Sequence, residues 1–418
     1  MGVKDNILSR RDFLKFSGGF LASSSILDLD RDLGFLVPSA EAAQPKEEET
    51  KLYGECGVCS MGCAYIAYVR NGRIVRLEGN PKDQIAEGKL CVKGNASLNI
   101  LYDPDRLKYP MKRTNPQKGI GVDPKWVKIT WDEAIGMVAT KFKDVIAKDG
   151  PQAIVIFARP KPHLKHFAKS IGTPNLLTHH SACDVTHDIV WESMVTGEGK
   201  GRPFTGDYEN SRYILSFGWD GPGKSKNKWG RAVNNALEKG AKLVVFDPRL
   251  SITASKAHEW IPIKPGTDLA VLLAMIRTII IENLFDHEFI SNYTTGFNEL
   301  KERVQQYTPE WAEKISDVPA GTIVRIAREF ATTKPAVVAS HKRDAGGPLY
   351  RNSFRTAQCF IIMNTLVGSI DRPGGRILDR KPKLPKEGDF IKYPEYPKAV
   401  KERIDGMEKY PLTKKANF

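Results

Sequence analysis

The chain has 418 residues, 41% of them hydrophobic and 27% charged, which is ordinary for a soluble globular protein of two or three domains. It contains no low-complexity tract or short-period repeat, so repeat architectures are excluded. The net charge of +14 favours anionic partners. The basic residues are spread along the chain without arginine-rich runs or interleaved aromatics, so we predict no nucleic-acid partner.

The first 43 residues have the features of an export signal. The segment SRRDFLK (residues 9–15) places two adjacent arginines before an apolar run that ends at Leu27. Ala40-Glu41-Ala42 then offers a small-x-small cleavage site. We predict a twin-arginine signal peptide and a periplasmic or extracytoplasmic protein. A basic, partly helical N-terminus is the alternative.

Four of the six cysteines form one spaced motif. Three lie in ECGVCSMGCA (residues 55–64), and the fourth follows a segment that alternates apolar and polar residues around an Asn71-Gly72 turn, which predicts a hairpin. The spacing C-x2-C-x3-C-x27-C suits a 4Fe–4S cluster. Zinc and disulfides are the alternatives, but zinc sites usually pair two CxxC knuckles, and three cysteines this close bridge one another poorly. The predicted cluster ligands are Cys56, Cys59, Cys63 and Cys91.

From Trp131 onward the pattern alternates helices and strands. A helix leads to the short strand AIVIFA (residues 153–158), and YILSFG (213–218), a Gly-rich loop, a helix and KLVVFD (242–247) form a βαβ unit. Short, continuous apolar strands separated by helices predict a parallel sheet covered on both faces. The apolar segment 269–284 is interrupted by Arg277, which indicates a buried helix and not a membrane span, with Asp268 as its N-cap.

These motifs together resemble the large subunits of the bis(molybdopterin guanine dinucleotide) oxidoreductases, the dimethyl sulfoxide reductase family. The resemblance rests on the export signal, the cysteine spacing followed by Val92-Lys93-Gly94, FDPRLSITASKAHEWIPIKPGTDLA (246–270) and MNTLVGSIDRPGG (363–375). It implies an α/β fold in which a small N-terminal iron–sulfur domain precedes doubly wound, Rossmann-like αβα domains. Nothing after Gly375 resembles the family's C-terminal β-barrel domain, which we therefore expect to be absent.

The resemblance also implies the domain boundaries. The signal peptide covers residues 1–43 and the 4Fe–4S domain covers residues 52–108. A discontinuous α/β domain is expected to combine residues 109–180 with residues 336–418. The Rossmann-like domain that binds the pterin nucleotide is expected over residues 181–335.

Several residues are implied as ligands of the pterin cofactor. Asp247 ends a buried strand, where it could accept hydrogen bonds from a nucleotide, and Arg249 could pair with phosphate or stack on the base. The loop that begins at Gly218 is expected to meet the pyrophosphate. It departs from the family, because the usual Gly-x-Asn is replaced by Gly218-Trp219-Asp220, which puts an acid beside the phosphates. The implied set is Gly218, Asp247, Arg249, Gly266 and Asp268, with Lys93 between pterin and cluster.

The implied metal ligand is Cys183, in THHSACDVTH (residues 178–187). Its thiolate would complete a sulfur environment around molybdenum or tungsten, and a buried free thiol is the alternative. His180, with His179 and His187, is a candidate to orient an anionic substrate or to shuttle protons. We predict that Cys359, on an apolar helix, belongs to the core.

The resulting hypothesis is an exported molybdenum or tungsten oxidoreductase, the catalytic subunit for two-electron conversion of a small sulfur or oxyanion substrate. The thiosulfate, polysulfide, tetrathionate and arsenate reductases form the expected branch, with formate dehydrogenase and periplasmic nitrate reductase as rivals. A truncated, non-catalytic cofactor-binding or electron-transfer module is the other alternative. The expected cofactors are bis(molybdopterin guanine dinucleotide) and a 4Fe–4S cluster. The expected partners are a ferredoxin-like iron–sulfur subunit, a membrane anchor subunit and a maturation chaperone.

Overall fold

The computed structural model describes residues 49–59, 61–84, 86–158, 162–179, 182–197, 201–223, 227–341 and 344–379. The predicted signal peptide and the segment from residue 380 onward lie outside these ranges. The described residues form two compact units, residues 49–52 with 66–76 and residues 53–65 with 77–379. None of the helices in the described ranges is long and apolar enough to cross a membrane.

The elements follow one another in mixed α/β order. The strands are β1 Thr50–Glu55, β2 Ala64–Arg70, β3 Arg73–Gly79, β4 Met111–Arg113, β5 Trp126–Lys128, β6 Ile156–Phe157, β7 Leu176–Leu177, β8 Phe204–Gly206, β9 Tyr213–Phe217, β10 Lys242–Phe246, β11 Glu259–Ile261, β12 Ala336–Ala339 and β13 Arg376–Leu378. The helices are α1 Val92–Asn95, α2 Ser97–Leu101, α3 Trp131–Asp149, α4 Pro162–Ile171, α5 Val185–Trp191, α6 Asn227–Glu238, α7 Asp268–Ile281, α8 His287–Tyr293, α9 Phe297–Val304, α10 Pro309–Ser316, α11 Ala320–Thr332 and α12 Ser353–Leu366.

The smaller unit contains the turn of the predicted hairpin. Asn71 and Gly72 both have positive φ, at 47° and 72°, which is the conformation that a two-residue turn between antiparallel strands requires. Within this unit the guanidinium of Arg76 lies 3.7 Å from the ring centre of Tyr68. The hairpin prediction is confirmed.

The larger unit is organised around a four-stranded sheet in the order β11-β10-β9-β12, and every strand pair in it is parallel. β9, β10 and β12 are almost completely buried, and apart from Ser216 and Lys242 their residues are apolar. Strands of this kind carry no polar face because helices cover both sides of the sheet. The predicted parallel sheet is therefore confirmed.

The two faces of the sheet have separate cores. On one face, strand side chains such as Leu215, Phe217 and Phe246 pack in one cluster with α7, α10, α11 and α12. On the other face, Ile214 and Val245 pack against α6. Alternate residues of each strand thus serve opposite cores, which is the period-two rule of a strand buried on both sides.

The strand order reverses beside β9. The chain leaves β9 through α6 to β10 on one side, whereas β12 joins β9 on the other side. In open α/β sheets a reversal of this kind leaves a crevice beyond the carboxyl ends of the two diverging strands, where ligands bind. At this end, the amide of Ala345 donates to the carbonyl of Phe217 at 3.1 Å, and Gly218 adopts a φ of +64°.

Three local predictions need correction. The strand expected over residues 153–158 is limited to Ile156–Phe157 because Pro151–Ala153 forms a 3-10 turn. The N-cap of α7 is Thr267, and Asp268 is the first helical residue. Residues 336–339 were expected in a domain with residues 109–180, but β12 pairs with β9 because its apolar side chains complete the buried sheet. The remaining domain boundaries stay predictions.

Candidate functional site: a four-cysteine pocket and a sheet-edge crevice

All four cysteines of the motif line one pocket, together with Lys93. The first three lie on a loop closed by a hydrogen bond from the Cys56 amide to the Cys63 carbonyl at 2.8 Å. Cys91 stands at the N-cap position of α1. All four are free thiols. The structure therefore brings Cys91 to the first three cysteines, although 27 positions of the sequence lie between it and Cys63.

The close approach that positions Cys91 depends on a glycine. A Cβ on Gly79, the last residue of β3, would overlap the carbonyl carbon of Gly88 and the amide nitrogen of Lys89. On the other side of the loop, the Asp83 carboxylate accepts a hydrogen bond from the Ala64 amide at 2.7 Å. The segment that leads into Cys91 is thus packed directly against the end of the hairpin.

The pocket fits the chemistry of an iron–sulfur cluster. Burial raises the pKa of Cys63, and Asp83 and the three other cysteines raise it further. Iron binds cysteine as the thiolate. A bound cluster would therefore favour the ionised form and offset the free-energy cost of ionising these crowded thiols. In the described part of the chain, no group of three or more His, Cys, Asp or Glu residues is arranged around a single metal ion. The fit of this pocket to a cluster rests on its four cysteine sulfurs, which are soft donors around a shared space.

A second site lies at the crevice, where three carboxylates are buried. Asp247 follows β10, Asp268 begins α7 and Asp344 follows β12, and their exposed fractions are 5%, 6% and 2%. Burial raises the pKa of Asp268 to about 6, with smaller contributions from Asp344 and Asp247, while its own backbone amide lowers it. A buried acid with a raised pKa in a crevice is typical of a ligand site, where N–H donors of the ligand would stabilise the anion.

The structure explains the unexpected acid at position 220, in the loop that begins at Gly218. Asp220 is buried, and its Oδ1 accepts hydrogen bonds from the amide and the hydroxyl of Thr253. Its Oδ2 lies 3.6 Å from a guanidinium nitrogen of Arg249, whose side chain is 71% exposed. The carboxylate therefore joins two loops of the protein, so its charge is already compensated at the sheet edge.

Gly266 lies two residues before the start of α7, with a φ of +80°. The Asn352 amide side chain donates to its carbonyl at 3.0 Å, and a Cβ at this position would press on the ring of Tyr350. The glycine thus lets the chain turn into α7 beneath the loop that precedes α12. Its predicted contact with the cofactor stays a prediction.

Cys183 is buried, with 6% of its surface exposed, on the turn that precedes α5. The neighbouring Asp184 binds Arg202, whose Nη2 lies 3.1 Å from both carboxylate oxygens. His187 hydrogen-bonds Asp344, with Nε2 2.9 Å from Oδ1. His179 is exposed, and His180 lies outside the described residues.

Sequence reasoning missed Arg202 and Asp344. Each is more than fifteen residues from the Cys183 turn along the chain, and neither lies in a motif. The prediction for Cys359 is confirmed, since this residue packs in the core of α12, where burial raises its pKa to about 12.

Four cysteines around one pocket, together with an open parallel sheet that has a topological switch point, are the arrangement expected of an iron–sulfur protein that binds a second cofactor. Residues 106–318 match the family model described as molybdopterin oxidoreductase, and residues 50–103 match its Fe4S4 domain. The chain belongs to the molybdopterin oxidoreductase family. The predicted family, the fold class and the pair of cofactors, a molybdopterin and a 4Fe–4S cluster, are confirmed.

Individual relatives agree with this assignment. The molybdopterin-containing subunit of thiosulfate reductase from Salmonella typhimurium is 35% identical over 88% of this chain and 47% of its own length. The molybdopterin-containing subunit of arsenate respiratory reductase from Shewanella sp. is 32% identical over 93% of this chain and 48% of its own length. The structure of acetylene hydratase from Pelobacter acetylenicus superimposes with a TM-score of 0.66 at 29% identity, over 79% of this chain and 45% of that one. The chain spans about half the length of the curated relatives it matches.

Proposed function

We propose that this chain forms the cofactor-binding part of the catalytic subunit of an exported molybdenum or tungsten oxidoreductase. The observation that carries the proposal is the crevice beyond β9, β10 and β12, where the carboxylates of Asp247 and Asp268 are both buried. Asp247 accepts one hydrogen bond from the protein, from the Arg249 amide at 3.1 Å. Two buried carboxylates offer more acceptor positions than this, and burying them is costly unless a ligand supplies further donors. The N–H groups of a guanine base are donors of that kind.

Different residues of this chain would hold the two cofactors. Asp247 and Asp268 would accept hydrogen bonds from the guanine dinucleotide, and the backbone of the Gly218 loop would face its pyrophosphate. Cys183 would supply the thiolate ligand of the metal. The pterin-bound metal, when present, supplies the two-electron chemistry, and Cys56, Cys59, Cys63 and Cys91 would hold the cluster that carries electrons singly.

For the substrate, we propose a small sulfur compound or oxyanion. The support is the identity of the relatives, which include thiosulfate and arsenate reductase subunits. The net charge of +14 also favours an anionic substrate. A cysteine at the metal position agrees with this branch.

Export and partners are also proposals. The twin-arginine motif supports export to the periplasm, and the relatives are themselves named as subunits. We propose a ferredoxin-like iron–sulfur subunit and a membrane anchor subunit as electron-transfer partners, and a maturation chaperone. Replacement of both arginines of the motif by lysine should retain a fused reporter in the cytoplasm, and unchanged export would contradict this proposal.

The function is tested on the full chain, produced anaerobically and purified with any subunit that accompanies it. We expect iron together with molybdenum or tungsten, and oxidation of reduced viologen with thiosulfate, polysulfide, tetrathionate or arsenate. Nitrate and formate complete the panel. Cys183→Ala should retain iron and lose turnover. A chain that contains iron but neither molybdenum nor tungsten would instead be an electron-transfer module.

A further inference from the structure

The turn that carries Cys183 is attached to the crevice by a buried side-chain pair. His187 lies four residues after Cys183, in the first turns of α5, and Asp344 lies in the loop that follows β12. Their side chains are 2% and 0% exposed, and Nε2 of His187 lies 2.9 Å from Oδ1 of Asp344. The two residues are 157 positions apart in the chain.

Asp344 is itself fixed at the sheet edge. Its Oδ2 accepts a hydrogen bond from the His341 amide at 2.6 Å, and its Oδ1 accepts one from the Gly346 amide at 2.9 Å. The adjacent Ala345 donates to the last carbonyl of β9. A carboxylate with three donors is rigid and strongly bound, so it provides a fixed anchor for the histidine.

The imidazole of His187 has little freedom to leave this anchor. It is stacked on the ring of Phe360, with a centroid separation of 6.3 Å and an interplanar angle of 14°. A Cβ on Gly346 would approach Cε1 of His187 to 3.0 Å. The ring is therefore confined by an aromatic side chain and by a glycine backbone, and its N–H is directed at the carboxylate.

Arg202 fixes the same turn from another direction. It binds both oxygens of Asp184, the residue next to Cys183, and its Nε lies 3.9 Å from Asp188 on α5. Asp184 makes no side-chain cap to the helix. The turn is thus held by Arg202 near Cys183 and by Asp344 one helical turn later.

We propose that the His187–Asp344 hydrogen bond is a positioning pair, which fixes the Cys183 thiol relative to the crevice so that it can bind the metal of the cofactor. His187 then acts through Cys183 and does not itself contact substrate. This inference rests on the proposed function for the identity of the metal. The positioning of Cys183 is a property of the chain alone and can be measured without cofactor.

The test uses the full cofactor-free chain and the rate at which iodoacetamide alkylates Cys183, read by peptide mass spectrometry. His187→Leu removes the donor, and because hydrogen bonds to charged groups are among the strongest, we expect Cys183 to react about tenfold faster or more. His187→Gln keeps a donor at similar reach and should react nearly as slowly as wild type. Cys359 provides an internal measure of global loosening.

The matched control is Ile326→Val, which removes one methylene from the fully buried core position on α11 and should leave the Cys183 rate unchanged. Asp344→Asn is a second variant that keeps the side-chain shape if His187→Leu does not fold. The positioning role would be overturned if Cys183 were alkylated at the wild-type rate in both His187→Leu and Asp344→Asn. It would also be overturned if the alkylation of Cys359 were accelerated equally.

A separate measurement distinguishes this inference from the proposed function. In the metal-loaded protein, X-ray absorption should show one metal–sulfur ligand fewer in His187→Leu and the wild-type number in His187→Gln. A wild-type chain that binds no molybdenum or tungsten would refute the proposed function, whereas the alkylation rates would still decide the positioning. An unchanged sulfur count in loaded His187→Leu would overturn the pair's role toward the metal.

Discussion

Asp220 accepts two hydrogen bonds from Thr253, one from the backbone amide at 3.1 Å and one from the hydroxyl at 2.7 Å. The Thr253 hydroxyl oxygen in turn accepts from the Gly223 amide at 3.1 Å. The two loops that follow β9 and β10 are therefore held together by one buried carboxylate. An acid at this position strengthens the protein framework of the crevice.

The first prediction concerns this link. Asp220→Ala leaves two buried donors of Thr253 unpaired and should lower the free energy of unfolding by about 1–3 kcal/mol. Asp220→Asn keeps an acceptor oxygen and should cost less. Arg249→Ala removes an exposed ion pair and should cost under about 1 kcal/mol. Urea unfolding measures all three, and a larger loss in Arg249→Ala than in Asp220→Ala would contradict this order.

The second prediction concerns Asp268 and pH. Because its folded-state pKa is about 6, against an ordinary value of 3.8, the folded chain retains a proton that the unfolded chain has released between these values. The contribution of Asp268 to the free energy of unfolding therefore falls as the pH rises from 3.8 to about 6, and it stays low at higher pH. Asp268→Asn should stabilise the cofactor-free chain at pH 8 by on the order of 1–3 kcal/mol.

Thermal unfolding of the cofactor-free protein at pH 4 and pH 8 checks this sign. Asp144→Asn, an exposed acid within α3, is the control and should change the two melting temperatures equally. The gain in Asp268→Asn should appear at pH 8 and be small at pH 4. A destabilised variant at pH 8 would show that the carboxylate is already satisfied by the protein.

The third prediction concerns Gly79. A methyl group here would overlap the backbone of Gly88 and Lys89, so Gly79→Ala should displace the segment that carries Cys91 and reduce the iron content after anaerobic reconstitution. Gly57 lies between two cluster cysteines, and a Cβ there would meet no atom within 4 Å. Gly57→Ala should therefore keep its iron, and equal loss in both variants would exclude the packing explanation.

The fourth prediction tests the ligand set. Cys91→Ser should lose most of the cluster or change its EPR spectrum, because the serine oxygen is a poor substitute for a soft thiolate. Cys359→Ser changes a core thiol and should retain wild-type iron per chain. Iron analysis and low-temperature EPR of the reduced proteins make the comparison. An unaltered iron content and spectrum in Cys91→Ser would refute the four-cysteine assignment.

The sequence alone determined most of the local elements and the family. The hairpin turn at Asn71-Gly72, the buried strands and the cysteine spacing are encoded within short segments, since turn conformation and hydrophobic periodicity depend on near neighbours. Residues such as Asp247 and Asp268 could be proposed because each lies beside a recognisable element. The departure at Asp220 could be noticed, but its partner could not.

Only the tertiary structure decided which distant residues meet. It placed β12 beside β9, turned Asp220 toward Thr253, and joined His187 to Asp344 across 157 positions. A buried polar side chain must find a partner wherever the packed chain supplies one. That partner is set by the order of the strands and the packing of α5 and α12, which no short segment of the sequence specifies.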